Sequence, residues 1–122
     1  MGKRFTDRIK IKKGELSIGL TLIGYKDKNE NLFVLYAPAL DLYAYGDSED
    51  EAFIAFDETI NLYMDHLLEE KTLEKDLTRL GWQKHTYFNK RFAPPIYDPR
   101  EIMSNLGVNS FNVIDKQLEL QA

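Results

Sequence analysis

A chain of 122 residues is long enough to bury one substantial core and too short for two. Its 43% hydrophobic and 30% charged residues, with seven Phe and seven Tyr, are those of a globular protein and exclude a disordered chain. Without cysteine there is no disulfide framework, thiolate nucleophile or cysteine-bound metal, and a formal net charge of −4 with a pI of about 5.2 favours a basic protein partner over a broad phosphate-binding surface.

The N-terminal segment Met1–Lys13 is basic and polar, with Lys3, Arg4, Arg8, Lys10, Lys12 and Lys13 interleaved with Phe5, Ile9 and Ile11. It lacks the apolar stretch of a secretory signal, and no apolar run in the chain is long enough to span a bilayer, so a cytoplasmic protein without membrane attachment is expected. The segment reads as a flexible start leading into an edge strand. As a nucleic-acid contact, a lone basic arm on an acidic domain is a weak footprint.

From Leu16 to Tyr25, Leu16, Ile18, Leu20 and Leu22 alternate with Ser17, Gly19, Thr21 and Ile23, the period-two pattern of a strand. The polar stretch Lys26–Asn31 then reads as a turn, and the apolar run Leu32–Tyr36 as the return strand of a hairpin. Pro38 cannot donate to a ladder and ends that strand. Alternation resumes with Leu40, Leu42 and Ala44 on one parity and Asp41, Tyr43 and Tyr45 on the other, which predicts a three-stranded meander.

Gly46 and Asp47 break the pattern, and Ser48 followed by Glu51 has capping-box spacing, so a helix starts at Ser48. Ala52, Phe56, Ile60, Tyr63, Met64 and Leu67 recur at three-and-four spacing and carry it to about Glu70. Leu73, Leu77 and Leu80, closed by Gly81, predict a short second helix, after which Trp82 anchors the chain. Weak alternation over residues 82–89 leaves strand and irregular structure both open. Asp98 and Pro99 predict a third short helix with Ile102, Met103 and Leu106 as its apolar stripe, and the tail Ser110–Leu120 a final strand joining the sheet or a partner chain.

Residues 38–52, PALDLYAYGDSEDEA, with Pro38, Leu40, Gly46, Asp47, Ser48, Glu51 and Ala52 at the matching positions, resemble the signature of the HicB-like antitoxin family. With the preceding hairpin and the following helix, the resemblance covers about residues 16–70. It implies an α+β fold of the partial RNase H-like kind, in which a three-stranded antiparallel sheet packs on one long helix, here with additional short helices and a C-terminal strand. The expected organisation is one domain, with a core at about residues 14–82 and an extension at 83–122. The resemblance also implies a role in neutralising a small basic RNA-cleaving toxin of the HicA type. Nothing after Trp82 reads as the helix-turn-helix or ribbon-helix-helix domain that family members often add, so operator binding is not expected.

Pro38, Leu40, Gly46, Ser48, Glu51 and Ala52 have structural jobs in a strand-to-helix connection. The candidate partner contacts are Tyr36, Tyr43 and Tyr45, which suit a flat amphipathic patch, and the acidic Asp47, Glu49 and Asp50 at the helix start. A homodimer or larger assembly is expected, because edge strands need covering.

An RNase H-like outline also raises metal-dependent nuclease chemistry, for which Asp41, Asp47, Glu51 and Asp57 are the carboxylates to consider. Capping already explains Asp47 and Glu51, Asp57 falls on the solvent side of its helix, and Asp41 is expected on a strand. His66 and His85 lie in no metal motif, no serine stands in a nucleophile elbow, and no glycine-rich phosphate loop occurs. Binding without catalysis, cofactor or metal is the expectation.

Overall fold

The computed structural model describes residues 7–12, 14–85 and 91–121. Lys3, Arg4, Phe5 and Lys13 of the basic segment, and most of the weak alternation after Trp82, lie outside them.

The fold is α+β, and the described residues form seven strands in one antiparallel sheet and three helices: β1 (Arg8–Lys12), β2 (Glu15–Asp27), β3 (Leu32–Ala37), β4 (Leu42–Gly46), α1 (Glu49–Glu69), α2 (Leu73–Arg79), β5 (Gln83–Lys84), β6 (Arg91–Ala93), α3 (Pro99–Asn105) and β7 (Asn112–Gln121). The expected meander β2–β3–β4 is present, but the three-stranded sheet is corrected to seven. The basic segment is not an edge strand, since β1 pairs with β2 on one side and β6 on the other. What the alternation did not show is how much further pairing a strand as long as β2 can accept.

β2 is the spine. β7 runs antiparallel to it from Glu15 to Gly24, β1 pairs with Glu15–Gly19, and β3 pairs with Ile23–Asp27. A strand has two edges, so β1 and β3 lie end to end along the edge that β7 does not occupy. On one face of β2, Leu16, Ile18, Leu20 and Leu22 are buried with Ile9, Leu35, Ala37 and Ala44 against Ala52, Phe56, Ile60 and Met64 of α1. Each of those α1 residues falls three or four after the last, the stripe that a helix lays on a sheet.

On the opposite face, Arg8 crosses the spine above Gly19. A Cβ there would stand 3.0 Å from the Arg8 guanidinium, which donates to Gln117 on β7 and so joins both flanks of β2. β7 keeps one register throughout. Ile114, Lys116, Leu118 and Leu120 share the α1 face, and Lys116 meets Asp57 of α1 at 2.8 Å. That ion pair accounts for a lysine among apolar neighbours, and it leaves Asp57 half-buried where a solvent position was expected.

The three expected helices are all present. In α1, Ser48 is the N-cap, accepting the Glu51 amide at 3.2 Å, while the Glu51 carboxylate accepts the Asp47 amide at 2.9 Å, one residue earlier than in the usual capping box. α2 is followed, after its C-cap Leu80, by Gly81 at positive φ (+98°), and the Trp82 indole donates to Ala39 O at 2.7 Å, tying this part of the chain to the turn between β3 and β4. Asp98 caps α3 with Pro99 in its first turn, but only Met103 of the expected stripe is buried and Leu106 is exposed.

Gly46 is required by proximity, since its φ is not positive. A Cβ there would lie 2.3 Å from the Ala52 amide nitrogen and 2.7 Å from the Glu51 carbonyl carbon, backbone atoms fixed by the first turn of α1. Gly46→Ala is therefore expected to cost about 1–3 kcal/mol, the usual range for overpacking, measured as a lower denaturation midpoint with an unchanged slope.

Candidate functional site

The segment 36–51 gathers the exposed aromatic and acidic groups. β3 ends at Ala37 as Pro38 predicts, and Leu40 turns inward to 2% exposure from a turn closed by Leu40 N–Ala37 O and Asp41 N–Pro38 O bonds. Asp41 sits in this turn at φ +53°, not on a strand as expected; Asp tolerates that conformation better than most residues.

The β2–β3–β4 register puts Tyr25, Tyr36, Tyr43 and Tyr45 on the sheet face away from α1. Tyr36 and Tyr43 stack at 4.1 Å between ring centroids, and Tyr43 and Tyr45 follow at 6.4 Å with planes 8° apart. Tyr36 Oη donates to Asp41 Oδ1 at 3.0 Å. Burial first and the Asp41 carboxylate second push the Tyr36 phenol well above its ordinary range, so it stays a neutral donor. Tyr43 and Tyr45 are 37% and 53% exposed at the outer strand of the sheet. This tyrosine ladder is a rigid amphipathic surface of the type common in interfaces.

Asp47, Glu49 and Asp50 are all exposed just beyond β4. Their side chains have the helix dipole for company, whereas Glu51 is committed to the cap. The structure thus brings Tyr36, Tyr43 and Tyr45 together and sets Asp47, Glu49 and Asp50 just beyond the end of β4. Among the described residues, no three His, Asp or Glu side chains are grouped to hold a metal ion; the Asp41 carboxylate is engaged by Tyr36, that of Glu51 by the Asp47 amide and that of Asp57 by Lys116. His66 is exposed in the last turn of α1. No helix among the described residues is long and apolar enough to cross a membrane.

Sequence reasoning missed Asp7. Its carboxylate is 5% exposed, accepts from the Thr21 amide at 2.6 Å and from Tyr97 Oη at 2.5 Å, and borders a 330 Å³ cavity beneath Pro94–Tyr97. One acid among basic residues gave no warning; only the long-range pairing of β1 buries it. A second cleft, about 720 Å³, lies between the β2–β3 hairpin and the α3–β7 connection, with Lys26, Phe33, Ser110 and Phe111 among its walls.

Compared with known proteins, the chain matches no family model, no curated protein and no solved structure.

Burial raises the Asp7 pKa above its ordinary value, against the lowering effect of its hydrogen bonds from Tyr97 and Thr21. The folded state then holds this proton more tightly than the unfolded chain. The contribution of Asp7 is most favourable below the unfolded pKa of about 3.9 and is lost as pH rises through the folded value. Asn keeps the Thr21 hydrogen bond through Oδ1 and reverses the other, with Nδ2 donating to Tyr97 Oη, without the charge. Asp7→Asn is expected to be more stable than the parent at neutral pH, with the gap closing as pH falls towards 4, as read from paired denaturation curves.

Proposed function

We propose that this chain is a protein-binding module of the HicB-like antitoxin type, which neutralises a small basic RNA-cleaving partner by covering it with the β4 edge of its sheet and the start of α1. The observation that carries the reading is the ladder Tyr36–Tyr43–Tyr45, which crosses from β3 to the outer strand β4, and β4 runs into the exposed Asp47, Glu49 and Asp50. Aromatic rings supply contact area at little entropic cost, and flanking carboxylates select a partner of positive charge. Further support comes from the residues of the resemblance itself, since Pro38, Leu40, Gly46, Ser48, Glu51 and Ala52 each serve the strand-turn-strand-helix connection. The net charge of −4 suits a basic protein and repels a phosphate backbone, in line with an antitoxin that does not bind its operator.

The expected self-association falls to β7. Among the described residues its outer edge is unpaired along Asn112–Gln121, on the far side of β2 from β3 and β4, so a dimer made there leaves the ladder free. Sedimentation equilibrium is expected to give twice the 14.2 kDa of one chain, or a higher multiple, and a monomer at all concentrations removes this part of the reading.

The main test uses a small basic RNA-cleaving protein recovered with this chain from its native cell extract. Its RNA cleavage is expected to fall to background at an equimolar ratio, and Tyr43→Ala with Tyr45→Ala to weaken the complex at least about tenfold, the effect of losing one interface hot spot. Undiminished cleavage in the presence of excess chain overturns the proposal.

A further inference from the structure

The ladder specifies how a partner is held as well as its charge. Among the described residues β4 pairs with β3 alone, so its other edge offers backbone donors and acceptors to a further strand. The 6.4 Å between the Tyr43 and Tyr45 rings is close to the rise of about 6.6 Å between successive same-face side chains of an extended chain. A strand laid along β4 therefore sets two of its own side chains, two residues apart, beside these two rings.

The ends of β4 identify those side chains. Asp41 immediately precedes the strand and Asp47 immediately follows it, with Glu49 and Asp50 beyond. A guanidinium stacks flat on a tyrosine ring and can fork onto a carboxylate, whereas a lysine ammonium is a compact, strongly hydrated charge that does the first less well. A second copy of this chain is a poor occupant. Antiparallel pairing of β4 about Ala44 sets Tyr43 against Tyr45 but also Asp41 against Asp47. A nucleic-acid strand could stack its bases on the rings but would carry its phosphates past the same carboxylates.

We propose that the free edge of β4 accepts an extended segment with arginines at alternate positions, added to the sheet as a further strand with its guanidinium groups on Tyr43 and Tyr45. The inference rests on the partner-binding reading above and names the recognition element of that partner.

The test is titration of the full-length chain with a capped eight-residue peptide of alternating Arg and Val, followed by backbone amide NMR. The Arg peptide is expected to shift the amides of Leu42–Gly46, to bind about tenfold more tightly than the Lys–Val peptide, and to lose binding when the backbone amides on one edge are N-methylated. Tyr43→Leu with Tyr45→Leu keeps an apolar, strand-compatible surface and is expected to lower affinity for the Arg peptide to that for the Lys peptide. Equal affinity for the two peptides, shifts centred away from β4, or oligouridylate competing the peptide off this edge would each overturn the proposal. If the peptide fails while the chain still silences its RNA-cleaving partner, strand addition falls and the antitoxin reading stands. If the peptide binds as described and no cleavage is silenced, the reverse holds.

Discussion

Three strands must share the two edges of β2, and the rest of the fold follows from how they divide them. β7 takes one edge over Glu15–Gly24, leaving β1 and β3 to occupy the two ends of the other. Neither reaches Leu20–Leu22, and a buried amide in that gap has no ladder partner. Such an orphan costs about 1–3 kcal/mol. The Asp7 carboxylate, one residue before β1 begins, accepts the Thr21 amide and takes the Tyr97 hydroxyl on its other oxygen. The desolvation that raises its pKa is the cost of bridging two collinear strands with a side chain, and an apolar residue at position 7 would leave Thr21 unsatisfied.

The same division of edges places the candidate interface. Because β1 holds the Glu15–Gly19 end, β3 pairs only with the hairpin end of β2, and the chain must leave at Pro38 and return as β4. Leu40 and the Trp82–Ala39 hydrogen bond fix the turn to the core, and Gly46 lets α1 close directly over the end of β4. One face of β4 is thereby covered by the helix and the other is left to the tyrosines. The ladder is thus held by buried groups at both ends, so little side-chain freedom remains to be lost when a partner covers it.

Local elements were legible wherever one residue dictates one backbone event. Pro38 ended a strand, Ser48 capped α1, and Gly81 and Asp98 marked ends of short helices. Tyr43 and Tyr45 could be placed on one face because parity decides that within a strand, whereas bringing Tyr36 beside them takes the β3–β4 register. The extent of the sheet could not be read, because β1, β6 and β7 are recruited by pairing with residues far along the chain, and alternation within a segment does not name its neighbour. Asp41 was misplaced for a related reason. Its parity fitted a strand, but the turn needed a residue that tolerates positive φ, and Tyr36 rewards a carboxylate there. Gly46 was recognised as necessary for an exit from the strand, while the actual constraint is the Ala52 amide beneath it, which only three-dimensional packing reveals.

The acidic residues around β4 divide between those bonded into the fold and those exposed to water, and that division bears on how binding energy would be organised in the proposed complex. Ser48 Oγ is spent on the Glu51 amide, the Glu51 carboxylate on the Asp47 amide, and Asp41 on Tyr36, so removing any of them disturbs the scaffold. Asp47, Glu49 and Asp50 offer exposed side chains in water, where charges act over roughly a Debye length of 8–10 Å and favour encounter more than residence. The rings do the converse, since stacking is felt only after contact and resists dissociation. In the proposed complex, long-range charge at one end of β4 and short-range aromatic contact along it would orient a basic segment before it docks. The free backbone edge between them then favours an extended segment over a helix of the same charge.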